Sequence, residues 1–249
     1  MKRAFDEKHP EFIDVSQAVS PELERDLAGL AALNRRLGAH RLVERFLSTW
    51  FSGGSYRVLD LGTGSGDLAR AVAAWCEKRG ISVQIDAVDA NAGAIEIART
   101  QSAKYANIRW LREDPVRFEG GHTYDLVLSF ALHRFSEPDA IRLLRHARES
   151  SHHFVLFADI ERSLGAYLGV WLATAFFVSD PQARRDGRLS ARRAFTWSEM
   201  HRLATEAGWE DFGHARFLFC HHAVWLAERD LAADPALALP GADAVPCPT

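Results

Sequence analysis

A doubly wound, mostly parallel α/β sheet is the fold class this 249-residue sequence predicts, and three observations predict it. From Tyr56 onward, short and nearly continuous apolar runs alternate with amphipathic stretches. Runs apolar on both faces suit parallel strands covered by helices on both sides. A glycine-rich segment follows the first run and opens the first amphipathic stretch, the context of a ligand-binding loop. Acids gather at the ends of the first three runs, along the edge where such sheets bind ligands.

Taken in order, Ser20-Pro21-Glu22 reads as a helix start, with serine as cap, proline at the first helical position and an acid in the first turn. Leu23, Leu27, Leu30 and Leu33 recur at helical spacing, and Gly38 breaks the pattern before a second helix, His40 to Trp50. Ser52 to Ser55 forms a hinge. The strand candidates are RVLDL, VQIDAVD, IRWLRE, YDLVLSF and FVLFADI. Between them Asp67–Lys78, Ala92–Tyr105 and Glu137–Ser150 read as helices, the last capped by Ser136 with Pro138 in its first turn.

An excursion follows the fifth strand, from Glu161 to Phe195. It holds an apolar run, Leu164 to Val178, and then an arginine-rich stretch read as a solvated loop. Thr196-Trp197-Ser198-Glu199 is a capping box opening a helix that ends near Gly208. Trp209 to Ala227 supports two more strands as a hairpin, which makes seven in all. The domain reading is a helical cap over 1–54, a ligand-binding domain over 55–228 with 161–195 as a helical insertion or lid, and a loosely held tail over 229–249.

Composition narrows the function. Hydrophobic residues at 47% and charged residues at 25% describe an ordinary globular chain. A net charge of -3 argues against a nucleic-acid partner, which usually leaves a basic footprint. The three scattered cysteines, Cys76, Cys220 and Cys247, suggest neither a disulfide framework nor a zinc site. With no signal-like start and no bilayer-length apolar run, a cytoplasmic protein without a membrane partner is the expectation.

The segment Asp60-Leu61-Gly62-Thr63-Gly64-Ser65-Gly66-Asp67 is the most informative. Its spacing is G-x-G-x-G, not the G-x-G-x-x-G of dinucleotide binders, and an acid stands two residues before the first glycine. A dinucleotide loop offers amides to a pyrophosphate, which an acid would repel. A cationic ligand suits it instead. Asp89 ends the next strand, where an acid can accept bonds from ribose hydroxyls, and Glu113-Asp114 follows the third.

LDLGTGSGDLA, the Asp89 strand, Glu113-Asp114 and YDLVLSFALHRF together resemble the successive motifs of class I methyltransferases that use S-adenosylmethionine (SAM). They are especially similar to small-molecule enzymes of the ubiquinone/menaquinone-biosynthesis type. The match covers Tyr56 to Ile160 well and the later strands loosely. The resemblance implies SAM as cofactor, with Asp60 and the Gly62–Gly64 backbone near its methionine part. It places Asp89 on the ribose, Ala90 beside the adenine, Asp114 at the adenine amino group, and Ser129 and Phe130 near the sulfonium. It also implies an antiparallel last strand, Arg216 to Leu226.

Methyl transfer needs alignment above all, and a base where the acceptor is a phenol or an acidic carbon. His133, following the fourth strand, is the candidate base. Asp159, Glu161 and Arg162 after the fifth strand can bind a polar group of the acceptor or pair among themselves. Tyr167, Trp171, Phe176 and Phe177 can roof an apolar acceptor pocket, or the helix carrying them can simply pack on the domain or at a homodimer interface. The arginines at 184–193 can recognise an anionic acceptor or lie in solvent. His152-His153 and His221-His222 read as structural, since strand neighbours point to opposite faces. Ser129 stands where a magnesium-dependent catechol-type enzyme carries an acid, so no metal is expected. The Asn/Asp-Pro-Pro-aromatic motif for base or protein amines is absent; SFAL occupies that position. The expected function is methylation of an O or C atom of a small aromatic or polyketide-like molecule. A non-catalytic SAM-binding or partner-binding relative and a nicotinamide oxidoreductase are the rivals.

Overall fold

A computed structural model describes residues 1–6, 11–14, 17–120, 123–217 and 220–227. The expected tail over 229–249 lies outside the described residues. Two helices open the chain, α1 (Pro21–Leu37) and α2 (Ala39–Trp50). The Ser20 hydroxyl accepts from Leu23 N–H, and Gly38, at φ 96°, ends α1 and starts α2 in a left-handed conformation that suits glycine.

The sheet then alternates with helices: β1 (Ser55–Leu61), α3 (Asp67–Glu77), β2 (Ser82–Asp89), α4 (Ala92–Gln101), β3 (Ile108–Arg112), β4 (Tyr124–Ser129), α5 (Glu137–Ser150) and β5 (Ser151–Ile160). Strand β1 begins inside the expected hinge. Helix α4 stops before Tyr105, because the chain turns at Ser102, whose carbonyl accepts from Tyr105 N–H.

After β5 come α6 (Leu164–Phe177), α7 (Pro181–Arg193), α8 (Trp197–Glu206), β6 (Gly213–Phe217) and β7 (His221–Ala227). The arginine-rich stretch is therefore helix and not loop. Asp180 caps it, accepting from Ala183 N–H, Pro181 occupies the first turn, and Arg192 and Arg193 sit at the carboxyl end where cations are favoured. The capping box at Thr196 and Glu199 is formed in both directions.

The strand order is β3-β2-β1-β4-β5-β7-β6. The first five strands pair in parallel, while β7 runs antiparallel to both β5 and β6. The expected last strand, Arg216 to Leu226, thus spans two strands: Arg216 belongs to β6, and β7 is inserted between β5 and β6. One core joins α2 and α3 to the sheet through Phe46, Val72, Val58, Leu126 and Phe154. Another joins α5 and α8 through Leu143, Leu203, Val127, Val155 and Phe157. Each such fully buried side chain contributes roughly 1.5–3 kcal/mol relative to exposure.

The order reverses between β1 and β4, so the loops leaving these strands diverge and open a crevice at the carboxyl edge. Helices α1 and α7 close over it. They approach tightly: a Cβ on Gly29 would lie 2.6 Å from that of Ala183. Asp26 on α1 is buried, and both its carboxylate oxygens lack hydrogen-bond partners among the described residues. Burial, with Asp186, Asp180 and Glu11 nearby, pushes it up to about 7. A folded pKa raised above that of the unfolded chain gives stability that is full below about 4 and lost as pH rises through about 7. Asp26→Asn is expected to raise Tm by about 4 °C at pH 8, and by much less at pH 5. Thermal melts at the two pH values check this; an equal shift at both would refute the charge-burial account.

Candidate active site

The glycine loop forms the floor of the crevice. Gly62, Gly64 and Gly66 have φ of 78°, 55° and 73°. At Gly62 a Cβ would also lie 2.7 Å from that of Ala131, so the loop after β4 can pass close only over glycine. Gly62 and Thr63 N–H groups donate to Val88 O at 2.9 and 3.0 Å, fixing the loop to β2.

Asp60, at the end of β1, is 2% exposed. It accepts from Thr63 Oγ at 2.6 Å, and burial pushes its pKa up to about 7. A carboxylate so desolvated, with a hydroxyl but no cation beside it among the described residues, would be stabilised by a positive charge brought to it.

The crevice is lined by the loop, by Leu27, Leu30, Leu33 and Asn34 of α1, by Gly187 and Ser190 of α7, and by Phe130, Ala131, His133, Arg134, Asp159, Ile160 and His221. Its empty space, open solvent at the mouth included, is about 860 Å³.

His133 and Asp159 meet here. Asp159, at the end of β5, accepts from His133 backbone N–H at 2.7 Å and from His133 Nδ1 at 2.8 Å. With Nδ1 donating, Nε2 is the ring atom left for the crevice. Burial alone would lower the His133 pKa, but the charge and hydrogen bond of Asp159, with the charge of Glu11, outweigh it and raise the value. The geometry is a base oriented and made more basic by an acid.

Glu11, Asp14 and Arg134 were not found from the sequence. A short segment, residues 11–14, lies across the crevice. Asp14 pairs with Arg134 at 2.5 Å and Arg193 at 2.9 Å, and Asn91 Nδ2 donates to Ile13 O at 2.8 Å. Glu11 is 2% exposed and accepts from Ser190 Oγ, while its Oε1 lies 3.6 Å from Arg193 Nη1 and has no hydrogen-bond partner among the described residues. Burial raises its pKa to about 7. A strap this short has no periodicity; its role comes from tertiary placement.

The other expected site residues divide. Asp89 stands beneath the loop, its oxygens accepting from Gly64 N–H at 2.8 Å and Asn91 N–H at 2.9 Å, with Arg134 at 3.5 Å. It is buried, and with Ala90 and Asp114 it lies outside the crevice lining. Ala90 and Asp114 are exposed, and Asp114 accepts from Val116 N–H. Phe130 is on the wall, but the Ser129 hydroxyl is buried and donates to Leu61 O at 2.7 Å, tying β4 to β1.

Three substrate expectations are corrected. Arg162 is buried away from the crevice, bonded to Ala194 O, Met1 O and Glu199, because its fork matches the capping-box carboxylate. Tyr167 packs against the cluster around Leu33 and Leu37, and Trp171 faces solvent, because α1 and α7 stand between α6 and the crevice. Glu161 pairs with Arg216 at 2.6 Å. His221, read as structural, is on the wall, and burial pushes it down to about 4, so it is neutral near pH 7.

Residues 58–151 match a family model described as a methyltransferase domain. Solved structures share the fold. The plantazolicin methyltransferase BamL, in complex with a triazolic desmethylPZN analog and SAH (S-adenosylhomocysteine), superposes with TM-score 0.61 at 14% identity, covering 83% of this chain and 97% of that one. Human N-acetylserotonin methyltransferase, in complex with SAM, gives 0.58 at 18% identity over 83% of this chain and 56% of that one. Residues 58–151 are thus similar to a methyltransferase domain, and the chain has the fold of these solved methyltransferases. Among curated relatives, the tRNA1(Val) (adenine(37)-N6)-methyltransferase of Tolumonas auensis is 38% identical over 103 residues, 39% of this chain. The chain spans about 42% of that relative's length. The methyltransferase domain holds the glycine loop and the β4 end carrying His133, while α1, α7 and Asp159 lie outside the matched residues.

Proposed function

We propose that this methyltransferase uses SAM to methylate a hydroxyl, or an acidic carbon, of a small apolar molecule of aromatic or polyketide type. The observation that carries the reading is the His133–Asp159 pair at 2.8 Å, on the same crevice as the buried Asp60. SAM, when bound, supplies an electrophilic methyl next to a positive sulfur. Asp60 would accept from its ammonium, and the loop amides would hold its methionine part. Asp89, Ala90 and Asp114 remain the residues proposed for its nucleoside. For Asp89 to serve, the strap at 11–14 has to shift.

The chain's own part in the reaction follows. Leu27, Leu30, Leu33, Phe130 and Ile160 exclude water and hold an apolar acceptor. His133 Nε2 removes the acceptor proton as its oxygen or carbon takes the methyl, and Asp159 stabilises the imidazolium that results. The charged lining is mainly acidic, Glu11, Asp60, Asp67 and Asp159, and Arg134 is already paired. That balance favours an acceptor donating a hydrogen bond over one bearing a carboxylate.

SAH release measured across phenols and 1,3-diketones tests the reading. Turnover of at least one class supports it; tight SAM binding without turnover on any supports the non-catalytic rival. The rate is expected to rise with pH as His133 loses its proton, with the limb above the ordinary histidine value near 6.5. Asp159→Asn removes the charge holding it up, so the limb moves to lower pH and the plateau falls. A limb unmoved by Asp159→Asn would take His133 out of the role.

A further inference from the structure

Helix α6 is apolar all round and carries no charged residue. Such helices are ordinarily buried or membrane-bound, yet among the described residues only one side of this one is covered. Val170, Ala173 and Ala166 pack inward near Leu33 and Leu37. On the opposite side Leu164, Leu168, Leu172 and Phe176 form a row at i, i+4 spacing, 75%, 57%, 42% and 77% exposed. Trp171 extends it, 42% exposed, and Phe177, on the packed side at the end of the helix, is 52% exposed. At 100° per residue the row from Leu164 to Phe176, with Trp171, covers about 140° of the helix. The patch offers on the order of 600 Å² of apolar surface, the top of the range for the largest patch on a monomer.

Its rim is basic. The Arg36 guanidinium lies 4.2 Å over the Phe177 ring and that of Arg188 5.0 Å over Trp171. Arg185, Arg188 and Arg192 recur on one side of α7, at i, i+3 and i+7, and the acid of that helix, Asp186, is buried. Asp180, at the turn between the helices, is already engaged by the α7 cap and by Arg25. An apolar stripe edged by arginines matches a bilayer surface with anionic headgroups: side chains enter the acyl boundary and guanidiniums meet phosphates. Two copies of this face would instead bring the same arginines together without exposed acids from these helices to answer them. No described helix is long and apolar enough to cross a membrane, and α6, about 21 Å long, would lie in the surface plane.

We propose that the α6–α7 hairpin docks this protein on an anionic lipid surface. Sedimentation of the full chain with vesicles tests it, using phosphatidylcholine alone and a 3:1 mixture with phosphatidylglycerol at about 0.15 M salt. The expected result is binding to the mixed vesicles at least tenfold tighter than to the neutral ones. Leu168→Glu with Phe176→Glu abolishes binding to both, while Arg185→Glu with Arg192→Glu lowers it more than tenfold on the mixed vesicles alone. Neither pair lines the crevice, so circular dichroism and SAH affinity stay as in the parent. Absence of binding to mixed vesicles overturns the proposal, as does binding that survives the Leu168/Phe176 pair. A vesicle-indifferent dimer that the same pair splits would assign the patch to a second copy.

Discussion

His133→Ala is expected to lower turnover by about a hundredfold or more, the ordinary worth of a positioned base, while SAM affinity changes less than threefold. The asymmetry is the point of the prediction. His133 lines the part of the crevice proposed for the acceptor, with Nδ1 spent on Asp159, so in this proposal its loss removes proton transfer and leaves the Asp60 contact in place. Steady-state kinetics against calorimetry separates the two effects. Normal turnover in the variant would remove His133 from the mechanism. Equal loss of turnover and SAM affinity would make it a structural member of the β4 loop.

The second large effect is expected at Asp60. Asp60→Asn keeps the shape and the Thr63 contact but deletes the charge. SAM affinity is expected to fall by about ten- to a hundredfold, the range of a hydrogen bond to a charged group in a buried site. The fold is expected to survive or gain. Burial already disfavours the charged form, and its folded pKa of about 7 means that the variant's gain in Tm is full above pH 7 and vanishes toward pH 4. Unchanged SAM affinity with a raised Tm would leave Asp60 as a strained structural acid and nothing more.

The fold was legible where local signals and periodicity agreed. Ser20-Pro21, Ser136 and the Thr196–Glu199 box each opened a helix as read, and five apolar runs became the parallel strands. Asp180-Pro181 carries the same kind of start signal, but the charge density after it suggested solvated loop; a helix with one exposed basic side looks like that in composition. The apolar run of α6 named a helix but not its neighbours. Hydrophobicity says that a surface wants cover, not which surface provides it, and here α1 and α7 took the place assigned to α6.

That Asp60, Gly62, Gly64, Phe130, His133 and Asp159 share one crevice was readable because the sheet edge is a consequence of topology. Arg162 was misread because a buried arginine and a substrate-binding one look alike in sequence; its partner Glu199 is 37 residues away. Glu11, Asp14 and Arg134 were invisible for the same reason, since the strap that joins them pairs residues 120 apart. His221 was missed because the alternation argument excluded chelation by the pair but not a wall position for one member.

Calorimetric titration of the full chain with SAM, and in parallel with NADH, tests the central claim most directly. Two buried acids beside the loop, Asp60 among the lining residues and Asp89 beneath Gly64, should welcome a cationic nucleoside and repel a pyrophosphate. SAM is expected to bind in the micromolar range or tighter, more weakly in Asp60→Asn, while NADH gives no heat. Binding of NADH with none of SAM would contradict the account.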